Sequence, residues 1–303
     1  MPSPPFIYWT EILIYTRSIG VPRAPRSSPP PLIASCREVP DLVKIPPSHP
    51  RYRSLMERER LVEAFRKGLV APEGLLAHGR GEAFDYILGE HTMEVAEEAT
   101  VAAAAALLIA KWPVISMNGN ATALASREAV ELSHLIPARI EVNLFYRSEE
   151  RVRKLVKRLQ EEGARGVLGE RPDRKIEGLD HPRALCCTEG IYTADWVLLS
   201  LEDGDRTEAL ARWGKKIVAV DLNPLSRTAR AATVTIVDNI TRAFPNLVKK
   251  VEGLKEKLER GEVTREDLEE MVRRWDNSEA LARAVEEIIR YLEREVESWR
   301  GLR

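Results

Sequence analysis

Five short apolar runs, PVISM, RIEVNLF, DWVLLSL, KKIVAVDL and ATVTIVDN, recur between residues 113 and 239, with helix-period segments between the early ones. Each run is about the length of a strand. Several are apolar at successive positions rather than at alternate ones, so both of their faces must be covered. Strands of that kind alternating with helices predict an α/β chain: a parallel sheet with helices on both faces. ARGVLG at 164–169 reads as one further strand. In open parallel sheets ligands bind beyond the carboxyl ends of the strands, so the loops after these runs are where chemistry is expected.

On either side of this region the texture differs. SLMERERLVEAFRKG is an amphipathic helix closed by Gly68, and residues from about Ile240 onward are helical with a break near GEV at 261–263. VPRAPRSSPPPL near the amino end cannot hold regular structure. The expected organisation is a Pro-rich extension over 1–43, a catalytic core over 44–245 and C-terminal helices over 246–303 packed on that core. The extension is expected to be irregular and dispensable, and in part an upstream-start artefact.

Composition narrows the function classes. Net charge is −1 with 44% hydrophobic and 31% charged residues, which calls for neither nucleic acid nor an anionic membrane as partner. VAAAAALLIA is too short to span a bilayer. Three Cys make no disulfide framework or metal-ligand spacing, so a reducing cytoplasm is expected. One Gln among many charges is a thermophile-like usage.

The densest polar stretch, GLLAHGRGEAFDYILGE at 74–90, leads into the apolar HTMEVAEEATVAAAAALLIAK. It reads as a loop-like knot in which Gly79 and Gly81 let a ligand approach the backbone, Arg80 clamps an anion, and Glu82 and Asp85 orient Arg80 or a neighbouring subunit. ISMNGNATAL opens a helix after a strand, with Asn118, Gly119 and Asn120 in a tight turn and Thr122 as its cap. SLEDGDRTEAL gathers Glu202, Asp203 and Asp205 beside Arg206, a set able to offer oxygens to Mg²⁺. In VDLNPLSRTARAA, Asp221 ends a strand where an acid bonds a ribose hydroxyl, and TIVDNITRA repeats the theme with Asp238, Asn239 and Arg242. Five of the seven Asn (118, 120, 143, 223, 239) lie at or just after predicted strand ends. The third Gly of a dinucleotide fingerprint, a GxxxxGK[ST] loop, a GxSxG elbow and an HExxH pair are all missing. His134 reads as structural, and Cys186 and Cys187 as packing in or beside a strand.

Taken in order, IPPSHPRYRSL, GLLAHGRGEAFDYILGE, PVISMNGNATAL, IEVNLFYRSEERV, ADWVLLSLEDGDRTEAL and VDLNPLSRTARAATVTIVDNITRAFP resemble the archaeal phosphopantothenate synthetases, also called 4-phosphopantoate–β-alanine ligases. The resemblance covers about Ile45 to Pro245. It implies a Rossmann-like homodimer that joins 4-phosphopantoate to β-alanine with ATP, through an acyl-adenylate, in coenzyme A synthesis. It implies an ATP site made of Arg58, Arg80, Asp221, Leu222, Asn223, Arg227, Thr228, Asn239 and Ile240. With it go Arg80, Asp205 and Arg206 at the reacting atoms, 4-phosphopantoate at Asn118, Asn120 and Arg147, and Mg²⁺ at Glu202 and Asp203. Two other classes remain open at this point: a nucleotide-dependent oxidoreductase on the same sheet, and a nucleotide-sensing protein without catalysis.

Overall fold

In the computed structural model, which describes residues 45–301, the apolar runs form one five-stranded parallel sheet. The chain runs α1 (Tyr52–Arg66), α2 (Pro72–Leu88), α3 (Glu94–Ile109), β1 (Pro113–Met117), α4 (Gly119–Leu135), β2 (Arg139–Val142) and α5 (Glu149–Glu161). A two-stranded antiparallel ribbon follows, β3 (Arg174–Lys175) with β4 (Leu185–Cys186). Then come β5 (Trp196–Ser200), α6 (Gly204–Arg212), β6 (Lys216–Val220), α7 (Arg227–Ala231), β7 (Val234–Ile236), α8 (Ile240–Glu259), α9 (Arg265–Arg274) and α10 (Asn277–Gly301). Strand order is β2-β1-β5-β6-β7. The sheet therefore grows outward in both directions from between β1 and β5, a topological switch point. The expected Pro-rich extension, 1–43, lies outside the described residues.

Side-chain alternation explains why the strands read as continuous apolar runs. Ile115, Met117, Leu198, Val218 and Val220 enter one core, under α3, α4 and α8. Val114, Val197, Leu199, Ile217 and Ala219 enter a second core on the opposite face, with Leu210 of α6 and Ile176 and Ile191 of the irregular segment around the ribbon. Both faces are dry, so neither register of the pleat needs a polar residue. The alanines of α3 serve the first core: Ala102 through Ala106 are all buried, and their small side chains let α8, α9 and β7 pack closely around the helix. Among the described residues no helix is long and apolar enough to cross a membrane.

Three local expectations are corrected. GLLAHGRGEAFDYILGE is not a loop but most of α2, started by Pro72 and closed by Gly89 at φ +84°. Its three glycines weaken helix propensity, but Glu82, Asp85 and Leu88 are buried on one face, and tertiary contact outweighs propensity. ARGVLG forms no strand: Leu168 alone bridges to Glu141, because positive φ at Gly166 and Gly169 cuts the run short on both sides. The cap of α4 is Asn118, whose Oδ1 accepts from the Ala121 N–H at 2.9 Å, while Thr122 is buried in the first turn.

Gly119 marks the tightest approach near the strand ends. A Cβ there would lie 2.6 Å from the Leu69 carbonyl oxygen. Gly119→Ala must therefore push α4 away from the turn after α1. The expected cost is about 1–3 kcal/mol, seen in thermal unfolding as a drop of a few degrees; an unchanged midpoint would show that the turn yields freely.

Candidate active site

Loops at the carboxyl ends of β1, β5, β6 and β7, together with α2 and the β2–α5 loop, enclose a cleft of about 590 Å³. It sits over the switch point. Asn118 ties that point together, donating from Nδ2 to the Ser200 and Leu201 carbonyls at 2.9 and 3.0 Å while it caps α4. Asn120 then donates to the Gly74 carbonyl at 2.8 Å and fixes α2 against the start of α4. Asn143 donates to the Arg183 and Leu185 carbonyls, Asn223 accepts from the Leu225 N–H, and Asn239 caps α8. Every strand-end Asn singled out in the sequence thus makes a specific bond.

One side of the cleft is the expected nucleotide wall. Arg80, Asp221, Leu222, Asn223, Arg227, Thr228, Asn239 and Ile240 all line it. Asp221 accepts from Ser226 Oγ at 2.5 Å and from the Asn223 N–H at 2.9 Å, and burial pushes its carboxyl above the usual range. Asn239 donates to Asp85 Oδ2 at 2.9 Å, and Asp85 is in turn gripped by Arg242, which also pairs with Asp238. The wall is held rigid by side chains behind it.

Four expected site residues do not reach the cleft. Arg58 forms a fork to Glu82 at 2.8 Å on both arms, with Arg51 on the same carboxylate. Glu82 is therefore engaged with these two arginines, and Asp85 with Arg242 and Asn239; neither orients Arg80. Arg147 donates to the Gly169 carbonyl, off the cleft wall. Asp205 is exposed and paired to Arg227. Arg206 is fully buried, bonding Ser116 Oγ at 3.1 Å and Glu202 at 2.5 Å.

Glu202 and Asp203, the pair expected to hold Mg²⁺, are engaged with arginines. One Glu202 oxygen pairs with Arg183 at 2.6 Å and the other with Arg206 at 2.5 Å, and Asp203 Oδ2 pairs with Arg183 at 3.0 Å. Glu202, both oxygens held by buried guanidinium groups, is a poor metal ligand, since a cation would have to displace those ion pairs; Asp203 is half-exposed and paired through Oδ2 alone. Among the described residues no group of three or more His, Cys, Asp or Glu side chains is placed to hold a metal ion. The donor set does not fit a protein-ligated Mg²⁺.

Three cleft residues escaped the sequence reading: His78, Arg151 and Arg183. Burial lowers the His78 pKa and its Nε2 has no partner among the described residues. Arg151 lies in the first turn of α5, directly after Glu149 and Glu150, and reads in sequence as one more surface charge. A local signal existed: a cation in a helix's first turn opposes the helix dipole and needs another reason to be there. Cys186 and Cys187 are buried as expected, and burial pushes their thiols up to about 12 and about 11, so neither is a ready nucleophile.

Residues 95–291, which include the strands and most of the loops just described, match the family model for phosphopantothenate/pantothenate synthetase. The chain belongs to the phosphopantothenate/pantothenate synthetase family. It is similar to the 4-phosphopantoate–β-alanine ligase of Thermococcus kodakarensis, with 50% identity over 242 residues, 80% of this chain and 90% of that protein. The ligase of Methanosarcina mazei is 46% identical over 251 residues, 83% and 96% of the two chains, and that of Methanospirillum hungatei 52% over 205 residues, 68% and 84%. For a phosphopantothenate/pantothenate synthetase, a cleft with arginines and helix starts is chemically apt. Joining a carboxylate to an amine through ATP requires anions to be held together, which donors and cations do.

Proposed function

We propose that this chain condenses 4-phosphopantoate with β-alanine, converting ATP to AMP and pyrophosphate and releasing 4′-phosphopantothenate for coenzyme A synthesis. The observation that carries the reading is the 46% identity spanning 96% of the M. mazei ligase. The reaction runs in two steps. The substrate carboxylate attacks the α-phosphorus and pyrophosphate leaves, giving an acyl-adenylate. The β-alanine amine then attacks the acyl carbon, loses a proton, and AMP leaves.

The cleft supports the first step through Arg80, which lines the wall, carries no carboxylate partner among the described residues and faces the charge of Asp221. A cation free of internal ion pairs is available to the triphosphate as charge moves toward pyrophosphate. Asp221, Asn223 and Asn239, held by the bonds above, shape the nucleotide wall around it. No step is assigned to a metal, since the residues present do not form a metal cage.

We propose that the protein acts in the cytoplasm as a homodimer. Light scattering should give twice the 34.2 kDa chain mass; a value near 34.2 kDa would reject the dimer. The test of the function is AMP release from ATP, 4-phosphopantoate and β-alanine, with each omitted in turn. AMP should require all three, and pyrophosphate should appear without β-alanine. ATP binding with no AMP would favour a nucleotide sensor, and NAD binding in its place an oxidoreductase.

A further inference from the structure

His78, which the nucleotide wall leaves unused, is the one histidine lining the cleft among the described residues. Amide formation needs a group that can take a proton there. The β-alanine nitrogen enters as an ammonium and cannot attack until it loses one. The acids along the cleft are poorly placed to take it. Glu82 and Glu202 are each held by two arginines, and Asp221 has both oxygens bonded, to Ser226 and to the Asn223 N–H. Asp203 is paired to Arg183, and Glu73 stands exposed in the first turn of α2.

His78 has the surroundings of a base that rests neutral and is ready to be charged. Burial lowers its pKa, and its Nε2 bonds no described residue. The charges facing it mostly oppose that effect. Glu57 of α1 and Glu82 and Asp85 of α2 favour the imidazolium, and Arg58 of α1 disfavours it. All three carboxylates are buried. Glu82 and Asp85 are matched by arginines, but Glu57 has no cation partner among the described residues. Its oxygens accept from Thr241 Oγ1 at 2.6 Å and from Asn239 Nδ2 at 3.2 Å, both neutral donors. A buried negative charge thus lies unmatched near the ring. It attracts an ammonium in the cleft and stabilises an imidazolium formed there. A strongly desolvated group with specific charge partners, sitting in a cleft, is the pattern of a functional acid or base.

We propose that His78 is the general base of amide formation, taking a proton from the β-alanine ammonium so that the amine attacks the acyl-adenylate. The assignment rests on the ligase reading above. One N–H bond of the ammonium breaks, its proton passes to the imidazole and its electron pair stays on nitrogen. That pair forms the C–N bond at the acyl carbon. The acyl C–O bond to AMP then breaks with its electrons leaving on the phosphate oxygen, and the nitrogen sheds a second proton to water. Arg80 lies two residues along α2 and also lines the cleft, so the cation for the phosphates and the base for the amine come from one turn of one helix. An imidazole suits this work better than a carboxylate: its ordinary pKa of about 6.5, against about 4, makes it the stronger base near neutrality.

The experiment follows both steps in the parent and in His78→Ala. The pyrophosphate burst without β-alanine should match the parent, while AMP formation with β-alanine should fall about 10²-fold. The parent's kcat/KM for β-alanine must fall on the acid side along one ionisation and stay level near neutrality. The variant's should instead climb about tenfold per pH unit, because only the free amine then reacts. Hydroxylamine, already deprotonated at neutral pH, is the control nucleophile: the variant should turn the adenylate into hydroxamate at a near-parental rate. A purely structural role would slow both nucleophiles alike and leave the two pH profiles parallel; that result overturns the proposal. So does a lost pyrophosphate burst, which would make His78 part of the nucleotide wall. If His78→Ala unfolds, His78→Gln, which keeps much of the size and takes no proton, carries the same test. A flat acid side in the parent's own profile rejects the base whatever the variants do. Should the parent form no AMP, the ligase reading falls and the base with it, whereas an active parent beside an equally active His78→Ala removes His78 alone.

Discussion

Arg80→Ala lowers kcat about 10²–10³-fold while circular dichroism and melting temperature stay at parental values. The two halves of this expectation have separate grounds. Arg80 lies on an exposed stretch of α2 and carries no ion pair among the described residues, and Asp221, the buried acid it faces, keeps its bonds from Ser226 and Asn223 when Arg80 is removed. In the reaction the same freedom is what makes it useful. A guanidinium already neutralised by a carboxylate, like Arg183 or Arg227, has little field left for a departing pyrophosphate. The loss should appear as slow pyrophosphate release even without β-alanine, which places the defect at adenylate formation. Near-normal turnover by a folded Arg80→Ala variant would remove Arg80 from the chemistry.

Glu202→Ala is expected to cost about 3–5 kcal/mol of stability, the largest stability loss foreseen here. Glu202 has 2% of its side chain exposed and each oxygen holds a different arginine, themselves 6% and 1% exposed. Its removal leaves Arg206 with only Ser116 as a bonded partner and Arg183 leaning on the half-exposed Asp203. A buried guanidinium without its carboxylate is far costlier than no charge at all. Adding Arg206→Met to Glu202→Ala should therefore recover part of the loss, and a double-mutant cycle by denaturant unfolding reads the coupling. If instead the single variant melts like the parent, and the parent's stability falls on chelation, Glu202 serves a metal after all.

Much of the frame was legible along the chain because it is written in local periodicity. PVISM, DWVLLSL and KKIVAVDL are apolar on both faces and became the inner strands β1, β5 and β6. Ser148, just ahead of two acids, caps α5 by accepting from the Arg151 N–H at 3.3 Å. The order of motifs, from GLLAHGRGEAF to VDNITRAFP, carried the family, and eight of the nine residues expected at a nucleotide, all but Arg58, line one cleft. Local reading failed where tertiary contact overruled it. The three glycines of α2 suggested a loop, yet burial of Glu82, Asp85 and Leu88 kept it helical.

The sequence by itself determined the strand–helix alternation, the loops at the carboxyl ends of the strands and the family. Only the tertiary structure decided which charges are spent inside the protein and which remain for substrates. Glu202 looked like a metal ligand until Arg183 and Arg206 met it from either side, and Arg58 looked free until Glu82 closed on it. Arg151 looked like a surface charge until its guanidinium reached the Leu69 carbonyl, 82 residues away in the chain. The reason is physical: an arginine's chemistry depends on what lies within a few ångströms of its guanidinium, and those neighbours come from distant parts of the chain. Helix and strand periods record which face of an element is buried; they carry no record of which acid meets which base across the cleft.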